Sequence, residues 1–467
     1  MTLQSRRDFL QNGGLGFGAL ALGDLLSAES RAGNTADKPL VARSPHFPGT
    51  AKSVIFLFMQ GGPSQLETFD PKPVLQKFDG QLLPESLRDF DLAQINTADS
   101  KVMAPLFSFR KYGESGQEIS SIFPRLAAHA DKLAIIRSMH HELFIHGPAM
   151  VMMHSGTRLL GHPSIGAWVV YGLGSQSDNL PAYIAMTDSI FRNGAAMYSS
   201  GFLPAVYQGT DMQTEGTPIK NLHRHESISA AEQRLLLDQI NGWNQQHRQT
   251  RPGDSRLDAR IANYELAFRM QAAAPEMIDL SRETKATREL YGIDAEPSAR
   301  YGKMCLMARR MVERGVRYVQ LICSGWDAHR NCKSNHEGQA KKVDQPIAGL
   351  ITDLQQRGLL ESTLLVWVGE FGRTPIRQKN NGRDHHPYGF SAWMAGGGIV
   401  GGKTIGATDD FGFAAIDDKV HVNDLHATML GLMGMDHEEL TYLFQGRYRR
   451  LTDVGGQNNL APRLIRG

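Results

Sequence analysis

The chain has 467 residues, long enough to bury a large core. Charged residues make up 21% of it and the net charge is +2, so there is no basic excess of the kind that binds nucleic acid. Its three cysteines, Cys305, Cys323 and Cys332, form no CxxC pair and allow at most one internal disulfide, which excludes a disulfide scaffold.

In chain order, the first signal is Ser5-Arg6-Arg7-Asp8-Phe9-Leu10, ahead of a glycine-rich, weakly apolar run from Gly13 to Leu26 and the small residues Ser27, Ala28 and Ser30. That order predicts a twin-arginine (Tat) signal peptide over residues 1–35. The run is too short to cross a bilayer, and no later stretch reaches the needed length. The expectation is an exported, periplasmic protein with the Tat export machinery as a partner, no transmembrane anchor and no nucleic-acid partner.

Near-continuous apolar runs follow at Ser53–Met59, Leu133–Ile136, Ala182–Met186, Val316–Cys323, Thr363–Val368 and Ser391–Ala395. Such runs suit strands buried on both faces, as in a parallel sheet covered by helices. Val343, Ile347, Leu350, Ile351 and Leu354 mark a helix between two of them, with Gly358 as its stop, which completes a βαβ unit. Residues 220–312 read as an α-helical insertion on the same sheet. The fold class expected is therefore α/β, a mostly parallel central sheet sandwiched by helices, in a single domain over residues 36–460.

Polar clusters follow the strands, where open α/β sheets bind their ligands. Val316–Cys323 leads to Gly325-Trp326-Asp327-Ala328-His329, and Thr363–Val368 leads to Gly369-Glu370-Phe371-Gly372-Arg373. Asp384-His385-His386 precedes the strand Ser391–Ala395. Carboxylates and imidazoles so placed can converge on one cation. Asp327, His329, Glu370, Asp384, His385 and His386 are the expected metal ligands, and mixed Asp/His donors suit zinc or manganese. For Glu370 an ion pair with Arg373 or Arg383 is the alternative. His426 falls in the first turn of a helix that Asp424 can cap.

These segments resemble the alkaline phosphatase–sulfatase superfamily. More closely, the chain is similar to a family of Tat-exported, sulfatase-like bacterial proteins grouped as domain of unknown function 1501, through HGPAMVMMHSGT, GWDAH, GEFGRTP and GRDHHPYGFSAWMAGGG among others. The resemblance implies a metal-bearing Asp-x-His at Asp327 and His329, a further metal position at Glu370, a metal histidine at His385 or His386, and a helix-opening segment that adds His426. It implies a divalent metal (zinc, manganese or calcium). Two positions depart from the pattern. The first strand ends in Gln60 where the superfamily has a metal-binding Asp, and His146 stands at the nucleophile position. His146 and Ser64 are the catalytic candidates, with an extra metal ligand as the alternative for His146 and helix capping as the alternative for Ser64.

Two functions follow. One is an exported metal-dependent hydrolase of sulfate or phosphate esters, with polysaccharides as a candidate substrate. The other is a non-catalytic, metal-stabilised binding or assembly protein on the same scaffold, which the two altered positions favour.

Overall fold

The computed structural model describes residues 39–87, 99–189, 193–213, 224, 227–251, 255–453 and 455–465. The expected signal segment lies outside them. Among the described residues the main sheet has nine strands: β1 Ser53–Gln60, β2 Ala134–His140, β3 Tyr183–Thr187, β4 Thr210–Asp211, β5 Tyr318–Ser324, β6 Thr363–Val368, β7 Phe390–Gly396, β8 Lys403–Ile405 and β9 Val420–His421. The longer helices are α1 His146–Ser155, α2 Ile165–Leu173, α3 Ala230–Gln249, α4 Ser255–Ile278, α5 Ala299–Glu313, α6 Cys332–Gln356 and α7 Val422–Leu432.

The strand order is β8-β2-β7-β6-β1-β5-β3-β4, with β9 also on β2. Every pairing is parallel except those of β7, which runs antiparallel to both β2 and β6. Reversal of that one strand matters for function. The parallel strands β1, β2, β5 and β6 end at one edge of the sheet, and β7 begins there, so the residues just before it arrive at the same edge.

Alternation along β1 divides the core in two. Val54, Phe56 and Phe58 pack under α1, α2 and α7, against Met150, Trp168 and Met429. Ile55, Leu57 and Met59 pack on the other face, against Met304 and Leu306 of α5 and Val343 and Ile347 of α6. Helices therefore cover both faces, and all eight residues of β1 are buried. That explains its unbroken apolar run.

The stretch 220–312 divides in the structure. Helix α3 presents Leu235, Leu236 and Trp243 to solvent. Helix α5 belongs to the layer on the sheet, with Met304, Cys305, Leu306 and Met311 fully buried. No helix among the described residues is long and apolar enough to cross a membrane.

Candidate metal centre

Four loops meet at the edge where the parallel strands end. Helix α1 follows β2 after a short loop, and His146 is its first residue. Gly325 to Asn331 joins β5 to α6 and carries Asp327 and His329. Glu370 follows β6 by two residues, and His385 lies in a two-residue strand, His385–His386, paired antiparallel with Gly372–Arg373. Loop approach is tight: a Cβ at Gly61, where φ is +115°, would sit 2.5 Å from the Asp327 amide nitrogen. Only glycine fits there.

His146, Asp327, His329 and His385 each bring one ligand atom to a group whose members lie within 4.8 Å of one another. His329 Nε2 is 2.8 Å from His385 Nε2 and 3.1 Å from Asp327 Oδ1. Asp327 Oδ2 is 3.1 Å from His146 Nε2, and Oδ1 is 3.4 Å from His385 Nε2. His146 Nε2 lies at ion-pair distance from the carboxylate but is not aligned for a hydrogen bond.

The other ring nitrogens explain the arrangement. His146 Nδ1 meets Glu370 Oε1 at 2.6 Å, His329 Nδ1 meets Gln378 Oε1 at 2.9 Å, and His385 Nδ1 meets the Phe144 carbonyl at 2.8 Å. Each outer partner is an acceptor, so each Nδ1 carries a proton and donates it outward, and the neutral form of each ring leaves its lone pair on Nε2. All three Nε2 lone pairs then point inward. Two such lone pairs 2.8 Å apart repel unless a cation or proton lies between them. Histidine ligands of metals are oriented in this way, by a carboxylate or carbonyl on the second nitrogen. The residues fit a divalent cation.

Acid–base balance follows the same geometry. Burial disfavours a charged His146, but the carboxylates of Asp327 and Glu370 outweigh it and lift the ring to about 9, so a cation binding there displaces a proton from Nε2. For Asp327 burial is likewise the largest influence and acts upward. His146, His329, His385 and Arg373 together overcome it and hold the carboxyl well below the usual range. Burial dominates at His385 and lowers it. His329 is raised by its bond to Asp327. At 38% side-chain exposure, His329 also marks the side from which solvent reaches the group.

The remaining expected site residues lie outside the four-atom group. Glu370, fully buried, holds His146 and accepts the Gly61 N–H at 2.9 and 3.1 Å, so its carboxylate is occupied by neither Arg373 nor Arg383. Arg373 pairs with Asp327 at 2.8 Å and Arg383 with Glu67 at 2.8 Å. Asp384 stands behind the ligands, accepting the His385 N–H at 2.8 Å and lying 3.5 Å from His329 Nδ1. His386 is turned away, because successive residues of an extended strand point to opposite sides. Its Nε2 bonds the Phe413 carbonyl and its ring packs against Tyr388 and Phe413.

His426 is fully buried on the α1 side of α7, with Nε2 2.9 Å from the Met153 carbonyl. Ser64 is buried, and its hydroxyl makes neither a cap bond nor any other hydrogen bond. Gln60, opposite Ser324 in the β1–β5 register, has a buried Oε1 without a hydrogen bond. Gln378 was not among the expected residues. A glutamine in a polar loop carries no signal of its own; the turn after it, with Asn380 and Asn381 at φ of +54° and +53°, accepts the N–H groups of Asn331 and Cys332, just beyond His329.

Fold and site together define a three-layer α/β protein with a histidine–carboxylate cluster at the edge where its parallel strands end. The chain belongs to the family described as Protein of unknown function (DUF1501), which matches residues 51–462. No curated protein matches it. Similar solved structures include the lipoteichoic acid synthase LtaP from Listeria monocytogenes, at 9% identity and a TM-score of 0.37, covering 86% of this chain and 77% of that one. The PsFucS1 sulfatase from Pseudoalteromonas sp. is 12% identical with a TM-score of 0.36, over 90% of this chain and 72% of that one. Alkaline phosphatase from the Antarctic bacterium TAB5 is 9% identical with a TM-score of 0.35, over 83% and 99% respectively. At such scores the likeness carries no functional argument, which falls to the residues themselves.

Proposed function

We propose that this protein is a metal-dependent hydrolase of sulfate or phosphate esters, exported by the Tat route and acting on small esters or polysaccharides. One observation carries the reading: three imidazole Nε2 atoms and one carboxylate converge on a solvent-reachable edge, with every Nδ1 already committed outward. His146, Asp327, His329 and His385 would hold the cation. Three nitrogen donors favour zinc or manganese over calcium, which takes oxygen ligands. When bound, such a cation polarises an ester oxygen and makes water a better nucleophile at neutral pH.

The chain's own residues divide the remaining work. Asp327 supplies the negative charge, and Arg373 fixes its orientation. Glu370 keeps His146 in the tautomer that presents Nε2. That role makes His146 a ligand and not a covalent nucleophile, so intact-mass measurement during turnover of a slow ester should show no phosphoryl or sulfuryl adduct. A stable adduct on His146 would reverse the assignment.

The scaffold reading keeps one observation in its favour. Four protein donors complete the tetrahedron of a structural zinc site and leave a catalytic ion an open position only at higher coordination. Metal analysis of the exported protein, combined with a panel of sulfate and phosphate esters, separates the two. Turnover lost in Asp327→Ala supports the hydrolase. A metal-loaded protein that turns over no ester supports the scaffold.

A further inference from the structure

The surroundings of the four donors limit how many cations they can serve. Arg373 is fully buried and permanently charged. Its Nη2 lies 2.8 Å from Asp327 Oδ1, and the guanidinium also donates to the carbonyls of Gly61, Gly62 and Arg383. A carboxylate that bridges two cations through its two oxygens needs both free; here the flank of Oδ1 is held by a guanidinium that keeps its proton. A second cation there would face a fixed like charge at close range in a partly buried site.

Among the described residues, the neighbouring carboxylates are already engaged. Glu370 Oε1 is held by the His146 ring at 2.6 Å and by the Gly61 N–H at 2.9 Å, while Oε2 takes the same N–H at 3.1 Å. Asp384 Oδ1 takes the His385 N–H at 2.8 Å and lies 3.5 Å from His329 Nδ1. On the side of His146 and His385 stands the Phe371 ring, 5.0 and 4.6 Å from theirs, which has no donor atom to give.

We propose that the centre binds a single divalent cation, and that Arg373 and Glu370 are positioning residues. Arg373 supplies a built-in positive charge where a second cation would otherwise share Asp327. Glu370 acts through His146 and not on the metal. The inference rests on the metal-centre reading above and adds the count and the two outer roles.

Native mass spectrometry of the full chain under graded zinc, and separately manganese, reads the count directly. The expected plateau is one cation per chain. A plateau of two specifically bound cations overturns the proposal while leaving the metal centre standing. No bound cation overturns the metal-centre reading itself, and this inference with it. Substitution at Glu370 tests the outer role. Glu370→Gln keeps an acceptor for His146 Nδ1 and should retain one cation with affinity within about tenfold, whereas Glu370→Met should lose on the order of 10–100-fold. If Glu370→Gln abolishes binding as completely as Asp327→Ala does, Glu370 is a ligand and the assignment is wrong.

Discussion

The molecule holds two kinds of buried or half-buried histidine, and the contrast between them is instructive. At the sheet edge, His146, His329 and His385 donate outward through Nδ1 and turn Nε2 toward one another. In the interior, His154 and His426 each meet one backbone carbonyl, of Met150 and Met153, and leave the other nitrogen without a hydrogen bond. His336 is as deeply buried, between the Cys332 carbonyl and the Ser64 N–H. Richness in histidine is common to both groups. What separates a cation site from a packed core is where the free lone pairs meet.

The sharpest way to break that contrast is to remove a ligand. Asp327→Ala or His385→Ala should reduce metal affinity by more than roughly 100-fold, since even a lost outer partner costs 10–100-fold. Metal content after dialysis against a weak chelator checks this. A variant that keeps full occupancy would dissolve the distinction between the two groups.

Interior histidines should answer to acid. Burial holds His154 and His426 down to about 4 and His336 to about 3. Their folded-state values lie below the unfolded value near 6.5, so the unfolded chain binds more protons as pH falls. Their contribution to stability is whole above pH 6.5 and is lost as pH falls through about 4. His154 packs its ring edge-on against Phe56 and Phe58. His154→Phe should flatten the acid limb of a stability–pH curve, by up to roughly 3 kcal/mol at pH 4. An unchanged limb in denaturant titrations would assign the acid lability elsewhere.

Much of the fold was legible in the sequence. Thr363–Val368 is a strand with the expected bounds, and the run from Val343 to Leu354 lies within α6, which ends just before Gly358. Full burial on both faces gives a strand its continuous apolar run. Direction leaves no such mark: Ser391–Ala395 reads as any other buried strand, yet β7 alone runs antiparallel. The site was legible in part, for similar reasons. Asp327, His329 and His385 follow or precede strand ends, and His146 opens a helix at that edge. His385 and His386 were indistinguishable by position, and only their pairing with Arg373 and Gly372 sends them opposite ways.

Smaller effects sharpen the edge group further. Gln378→Met removes the acceptor from His329 Nδ1 while keeping the side chain's length, and should weaken metal binding by about tenfold. Gln378→Glu should restore it, as isothermal titration with zinc would show; a donor at that position, as in Gln378→Lys, should not. Equal affinity in all three would mean that His329 is held by Asp384 instead. The least response is expected at His386→Phe, where the ring faces Tyr388 and Phe413, and metal affinity should change by less than about threefold. A large loss there would return His386 to the ligand set.

The pairs that close this site also fix when it can exist. His146 meets Glu370 across 224 positions of chain, and His385 meets the Phe144 carbonyl across 241. Contacts that distant form late, after the intervening chain has lost its freedom. No fragment ending before residue 385 can assemble all four donors. Cation uptake should therefore follow nearly complete folding, and its rate in a refolding experiment would report the last docking step of the chain.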